Sequence, residues 1–188
     1  YILNVGRYMQ RASDLINRQV LDLEHGKIVG RVKDLIFSLR SGALYGIFVK
    51  LPFHKRQLGF IRLNQIRSIG KDAITILSSD CVGEEQKPQG VLDKHLLTQS
   101  GEFLGRITDV IFSERECLII GLEISRSVFD DLKSGRKLWP LSPETTIGDV
   151  VLVPDNSRAL SADKLLEQAL RLAPLALMDE SSWVSFVN

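Results

Sequence analysis

The residues best placed to do chemistry are two aspartates, Asp34 and Asp109, each set among aliphatic and aromatic neighbours in segments 32–38 and 107–113. A carboxylate in such surroundings must be compensated by donors. Arg31 and Arg106, three residues upstream, or backbone N–H groups at a β-bulge are the nearest on offer. Catalysis would also need a second acid, a base or a nucleophile converging on the same point. No nucleophile elbow, phosphate loop, metal-ligand spacing or pair of catalytic carboxylates is recognisable, so both read as structural and no enzyme is expected.

The other reactive types are equally scattered. His25, His54 and His95 have no His, Cys or acidic companions at metal-site spacing, so no metal is expected. The glycines of 26–30 lack the third glycine and following helix of a dinucleotide fingerprint, and no Gly-Lys-Ser or Gly-Lys-Thr occurs, so no cofactor is expected. Cys81 and Cys117 form neither a CxxC pair nor a disulfide framework; they read as plain small residues of a reducing compartment, a cytosol or stroma. The polar signal that remains is electrostatic. Lys50, His54, Lys55, Arg56, Arg62 and Arg67, interleaved with Phe53 and Phe60, form a basic stretch suited to an acidic protein or to RNA. The net charge of +1 hides an asymmetry: residues 1–76 carry 13 Lys and Arg against 5 Asp and Glu, a balance of +8, and residues 77–188 carry 11 against 18, a balance of −7. Opposite charges of this size steer the halves together, or the first half toward an anionic partner.

The elements that must position these residues come from a duplication. Segment 26–38 returns 75 positions later as 101–113, and over 26–49 the copies agree at Gly26, Gly30, Arg31, Asp34, Ile36, Phe37, Ser38, Arg40 and Gly46, matched by Gly101, Gly105, Arg106, Asp109, Ile111, Phe112, Ser113, Arg115 and Gly121. Two copies are too few for a solenoid, so each reads as a small domain. A unit of this size buries only about 60% of its unfolded surface and gains from docking on its twin.

A short turn at 12–16 leads into a strand at 20–23, and Glu24-His25-Gly26-Lys27 carries the chemistry of a hairpin turn. The next strand alternates, with Ile28, Val32 and Ile36 predicted on one face and Val29, Leu35 and Phe37 on the other. After a turn at Arg40-Ser41-Gly42 follows a strand carrying Tyr45, Ile47, Val49 and Leu51, then short strands at 58–61 and 73–77. In the second copy Ile120, Leu122 and Ile124 take the places of Tyr45, Ile47 and Val49, and Trp139 aligns with Ile61 once three inserted residues move the register to 78. These patterns predict a first domain at 10–79, a linker at 80–92, a second domain at 93–155 and a C-terminal helix and apolar tail at 156–188. The helix is signalled by the N-cap Ser161, the Leu160/Leu165 staple and an apolar stripe at Leu165, Leu166, Ala169, Leu170 and Ala173, ended by Pro174. The tail, with Trp183 and Phe186, is apolar enough to dock on this chain or to serve as a partner's handle. No apolar run is long enough to span a membrane, and a chain opening at Tyr1 leaves room for an upstream targeting segment.

The repeated pattern, Gly-x-x-x-Gly-Arg-apolar-x-Asp followed by three apolar residues, a turn and apolar-x-Gly-apolar, resembles the PRC-barrel family. The matching residues are 26–37 with 44–49, and 101–112 with 119–124. The resemblance implies two tandem six-stranded antiparallel β-barrels, a mainly β fold used as a docking or assembly module. Partners of that kind are a protein complex, either of the photosynthetic membrane, with peripheral association through the partner at a thylakoid, or of the maturing ribosome. A small-ligand-binding barrel is the third expectation. Partner contacts are expected at Lys50, Phe53, His54, Lys55, Arg56, Arg62, Arg67, Trp183 and Phe186, and structural roles at Gly26, Gly30, Asp34, Gly46, Gly101, Gly105, Asp109 and Gly121.

Overall fold

The computed structural model describes residues 9–38, 41–52, 58–85, 88–114, 116–127, 137–142, 144–161, 164–165, 167–168 and 183–185. Hairpin chemistry and alternation build the first half as read from sequence. β1 (Met9–Arg11) and the single turn of α1 (Ala12–Leu15) precede β2 (Gln19–Asp22), β3 (Lys27–Ser38), β4 (Ala43–Lys50), β5 (Leu58–Arg62), β6 (Ile66–Ile69) and β7 (Ala73–Ile76). The second half supplies β8 (His95–Thr98), β9 (Phe103–Ser113), β10 (Ile119–Ser125), β11 (Lys137–Trp139), β12 (Thr146–Ile147) and β13 (Val151–Val153), with β14 (Trp183–Ser185) last. The order β5-β4-β3-β2-β7-β6 in one sheet is repeated as β11-β10-β9-β8-β13-β12 in the other.

Two features depart from the expected antiparallel barrels. β2 pairs with β7, and β8 with β13, in parallel, because each meander returns its last strands beside its first. The hydrogen-bonded path then ends at β6 or β12, and no pair among the described residues closes either sheet.

Bulges correct the predicted faces of β3. Val29 is an extra residue opposite β2 and Lys33 an extra residue opposite β4, so strict alternation is broken twice. Val29, Val32, Leu35 and Phe37 all reach the main core, Ile28 is 57% exposed, and Ile36 joins a separate cluster with Phe48 and Phe60. The same irregularities recur in the second half at Leu104, Thr108 and Ile120, in line with Val29, Lys33 and Tyr45. Leu122 opposes Trp139 as Ile47 opposes Ile61, which fits the shifted register read from the sequence.

One hydrophobic cluster contains residues of both halves. Phe37 and Phe112, equivalent in the repeat, meet with ring centroids 6.0 Å apart, a contact of about 0.5–1.5 kcal/mol beyond the area it buries. The turns beside them form a reciprocal bridge: Leu44 N–H donates to Cys117 O at 2.7 Å, and Ile119 N–H donates to Gly42 O at 2.6 Å. Exchanging equivalent residues, Leu44 for Ile119 and Cys117 for Gly42, turns one bond into the other, so the halves face each other across a local two-fold axis. Cys117 takes φ +55 where the first copy has Gly42 at +58, a left-handed conformation a non-glycine side chain adopts at a cost.

The terminal strands cross between the halves. β1 adds to β9, with Met9 opposite Ser113 and Arg11 opposite Ile111; β14 adds to β3, with Trp183 opposite Ser38 and Ser185 opposite Ile36. These are equivalent positions of the two copies, so each terminus is bound to the half more distant in sequence. The segment predicted as a linker is also part of the folded body: Gly83 bridges Phe60, Cys81 and Val82 pack against the core, and Val91 is buried. At the expected C-terminal helix, Lys164, Leu165, Glu167 and Gln168 have helical backbone and Leu165 N–H donates to Ser161 O at 3.1 Å. The remainder of that helix and most of the tail lie outside the described residues.

Candidate functional site

The most concentrated polar chemistry lies where the N-terminal arm crosses onto the second sheet. Asp109 on β9 stands opposite Glu123 on β10 in the strand register, and both are buried. α1 begins at an arginine that provides no side-chain cap, and Ser13 instead turns to Asp109. Its N–H donates to Oδ1 at 3.2 Å, its hydroxyl donates to Oδ2, and Val110 N–H donates to Oδ1 at 2.8 Å. Arg11 reaches both acids: its guanidinium donates to both carboxylate oxygens of Glu123, at 3.3 Å to Oε1, and lies 3.8 Å from Asp109 Oδ2. Thr108, the bulged residue, donates its hydroxyl toward Glu123 Oε1 at 3.2 Å.

Two buried carboxylates share one guanidinium here, and burial drives the Asp109 carboxyl above its usual range against the pull of Ser13, Val110 and Arg11. Ser13 has a carboxylate neighbour and no histidine between them, and its two hydrogen bonds to Asp109 clasp the arm against the second sheet. The partner arginine expected from sequence is therefore corrected. Arg106 pairs with Asp93 at 3.3 Å and Arg31 donates to Asn17 O at 2.9 Å; Arg11 is the cation at Asp109. In the first copy Leu35 N–H donates to Asp34 Oδ1 at 2.8 Å, so both aspartates bind the backbone next to a bulge, as expected. Phe48 occupies the position of Glu123 there.

A further buried acid, Asp22, has no place in the sequence reading. Asp22 ends β2 and accepts from His25 N–H at 3.0 Å and Ser79 N–H at 2.9 Å, with His25 Nδ1 3.1 Å from Oδ2. Burial pushes its carboxyl up, but these donors outweigh it and hold the group well below the carboxylate range. The repeat comparison offers no signal for it, since Leu97 stands in its place. Glu123 does leave one: a lone carboxylate in the apolar run Ile119–Ser125 requires a buried cation. Arg11 and Ser13 leave none, because their partners are about a hundred residues away.

The predicted basic stretch is not one surface among the described residues. Lys50 opposes Leu58 at one end of the β4–β5 ladder and Arg62 opposes Gly46 at the other. Arg62 lies 5.5 Å from the Tyr45 ring and 3.6 Å from Glu85. Arg67 faces an open groove of about 610 Å³ where the halves meet, lined by Leu63, Ile66, Ile69, Glu114, Glu116 and Cys117. Phe53, His54, Lys55, Arg56 and Phe186 lie outside the described residues, and Trp183 is placed only by its backbone pairing with Ser38.

The glycines have local reasons. Gly26 at φ +62 and Gly101 at +91 turn their hairpins, and Gly105 has φ +149. A Cβ on Gly30 would meet Lys50 O at 2.3 Å, on Gly46 Ile61 O at 2.5 Å, and on Gly121 Trp139 O at 2.8 Å, so close strand approach explains these three. No cluster of metal-ligating side chains is found among the described residues, and no helix among them is long and apolar enough to cross a membrane.

Comparison with known proteins agrees with the repeat reading for the first copy. Residues 9–80 are a PRC-barrel domain, matching that family's model. No curated protein matches the chain. The family match covers the span from β1 through β7, which includes the six strands β2–β7 of the sheet that β14 joins.

Proposed function

We propose that this protein is a non-catalytic interaction module: two PRC-barrel-type units, the second built on the topology of the first, fixed together to present one groove to a protein partner. The observation that carries the reading is the way the halves are joined. The reciprocal turn bridge, the Phe37–Phe112 contact and the crossed terminal strands hold the two sheets as one body. The groove at their junction carries Arg67 from the first half and Glu114 and Glu116 from the second, beside aliphatic side chains. A preformed surface with both charges and an apolar lining suits a folded protein partner, because little ordering entropy is lost on binding.

The experiment is affinity capture from native extract at physiological salt, comparing the full chain with Arg67→Glu and Glu114→Arg. A specific partner retained by the parent and lost by both variants supports the reading; a partner set unchanged by both, or none above background, refutes it. A narrower setting, a photosynthetic membrane complex, rests on resemblance alone and is decided by the same capture from detergent-solubilised native membranes. A ribosome-maturation role would require the basic residues to act together. The separation of Lys50, Arg62 and Arg67 gives that alternative no support.

A further inference from the structure

We infer that the hairpin end of the first sheet is a lipid-facing edge, placing Leu23, Ile28 and Leu77 among the acyl chains of an anionic bilayer surface while Arg31 and Lys50 meet its headgroups. The strand registers order the outer face of β4, β3, β2 and β7 into rows. Lys50, Arg31, Gln19 and Ala73 lie side by side in one row. Ile28, Leu21 and Thr75 form the next. Leu23 and Leu77, which continue the parallel β2–β7 pair, form the last, at the tip.

Among the described large hydrophobic side chains, Leu23, Ile28 and Leu77 are conspicuously exposed, at 54%, 57% and 63%. They follow one another along the strand axis with the cations behind them. Rows two residues apart are separated by about 6.6 Å, so a tip buried about 5–10 Å in the interface brings Arg31 and Lys50 to headgroup depth. Lys27, exposed beside Ile28, has the reach to extend its ammonium back to the same level. Arg31 and Lys50 are also directly opposite each other across β3 and β4, a like-charge pair that a shared anion relieves.

A folded protein is the poorer occupant. The exposed parts of three aliphatic side chains fall well short of the roughly 800 Å² per partner of a stable interface. A bilayer needs only a few inserted aliphatic groups together with cations. Three carboxylates are close: Asp22 is buried and engaged with His25 and Ser79, while Glu24, exposed in the turn, and Asp80, exposed three residues after Leu77, oppose the interaction. None of these residues lines the groove between the halves, so this inference and the proposed function fail independently.

The test is co-sedimentation of the full chain with vesicles of phosphatidylcholine alone, or of phosphatidylcholine and phosphatidylglycerol in equal parts, at low and high salt. The parent should partition onto the anionic vesicles only, and less in high salt. Leu23→Ser/Leu77→Ser should lower partitioning about tenfold or more, Lys50→Glu should lower it, and Glu24→Gln should raise it about fivefold by removing one unfavourable charge at the surface. Leu23→Trp gives a second readout, a blue-shifted emission on anionic vesicles; circular dichroism confirms that each variant is folded. Absence of partitioning by the folded parent, or equal partitioning of the leucine variant, overturns the inference. Binding to polyglutamate without binding to vesicles overturns it in favour of an acidic protein partner.

Discussion

Replacing Asp109 by alanine should cost about 3 kcal/mol of stability, and replacing it by asparagine about 1 kcal/mol or less. The difference follows from the donors that surround it. Val110 N–H is buried and has Asp109 Oδ1 as its partner; leaving such a group unsatisfied costs about 1–3 kcal/mol. Ser13 loses two further hydrogen bonds in the alanine variant, each worth about 0.5–1.5 kcal/mol and partly recovered by water. Asparagine keeps a carbonyl oxygen for both N–H groups and can offer its amide to the Ser13 hydroxyl. It also removes a charge that burial disfavours. The folded-state pKa of Asp109 is raised above 3.8, so the folded state holds its proton where the unfolded chain has released it. Stability from this group is therefore greatest in acid and declines as pH rises through the folded pKa. The asparagine variant should lack that decline. Urea unfolding of parent and both variants, at neutral and mildly acid pH, measures all of this. Equal midpoints for the alanine and asparagine variants, or a parent that loses no stability relative to asparagine as pH rises, would refute the reasoning.

Asp22 should behave with the opposite sign: its pKa is lowered from 3.8 in the folded state, so its stabilising contribution is present above that value and is lost as pH falls below it. Thermal melts of Asp22→Asn should show a shallower acid loss than the parent. Gly46→Ala should destabilise by about 1–3 kcal/mol through overpacking, because its Cβ would sit 2.5 Å from Ile61 O and 2.6 Å from the Phe60 ring; Gly42→Ala, where nothing lies within 4 Å, should cost only its φ +58 strain. With a thiol reagent Cys81, half-buried, should react in the native protein. Cys117, buried and with its thiol pushed up to about 11 by burial and then by Glu116 and Glu114, should react only on unfolding. Simultaneous reaction of both thiols in folded protein would contradict the placement of Cys117.

The repeat makes much of each sheet legible from residue order alone. Local alternation and turn chemistry locate β2, β3, β4, β5 and β7, because hairpin partners are close in sequence and their signals are local. The same alternation misassigns the faces of β3 where Val29 and Lys33 bulge, since a bulge is an agreement between two backbones and leaves no mark in the alternation of one. The candidate site is half legible: residue types name Asp109 as a carboxylate needing donors, but they do not name Arg11 and Ser13 as the donors.

By itself the sequence determined the recurrence of segment 26–38 at 101–113, the order of hairpins along the chain and the need for compensation at Asp34 and Asp109, all of which depend on residue type and spacing. Only the tertiary structure decided that the termini cross, with β1 completing the second sheet and β14 the first. It alone grouped Leu23, Ile28 and Leu77 at one edge, and dispersed Lys50, Arg62 and Arg67, which are neighbours in a basic stretch of the chain. The physical reason is the same in each case. Strand addition and surface grouping are set by non-specific backbone hydrogen bonds and by packing between segments far apart in the chain, and a three-residue strand such as Met9–Arg11 carries too few side chains to specify a partner across that distance.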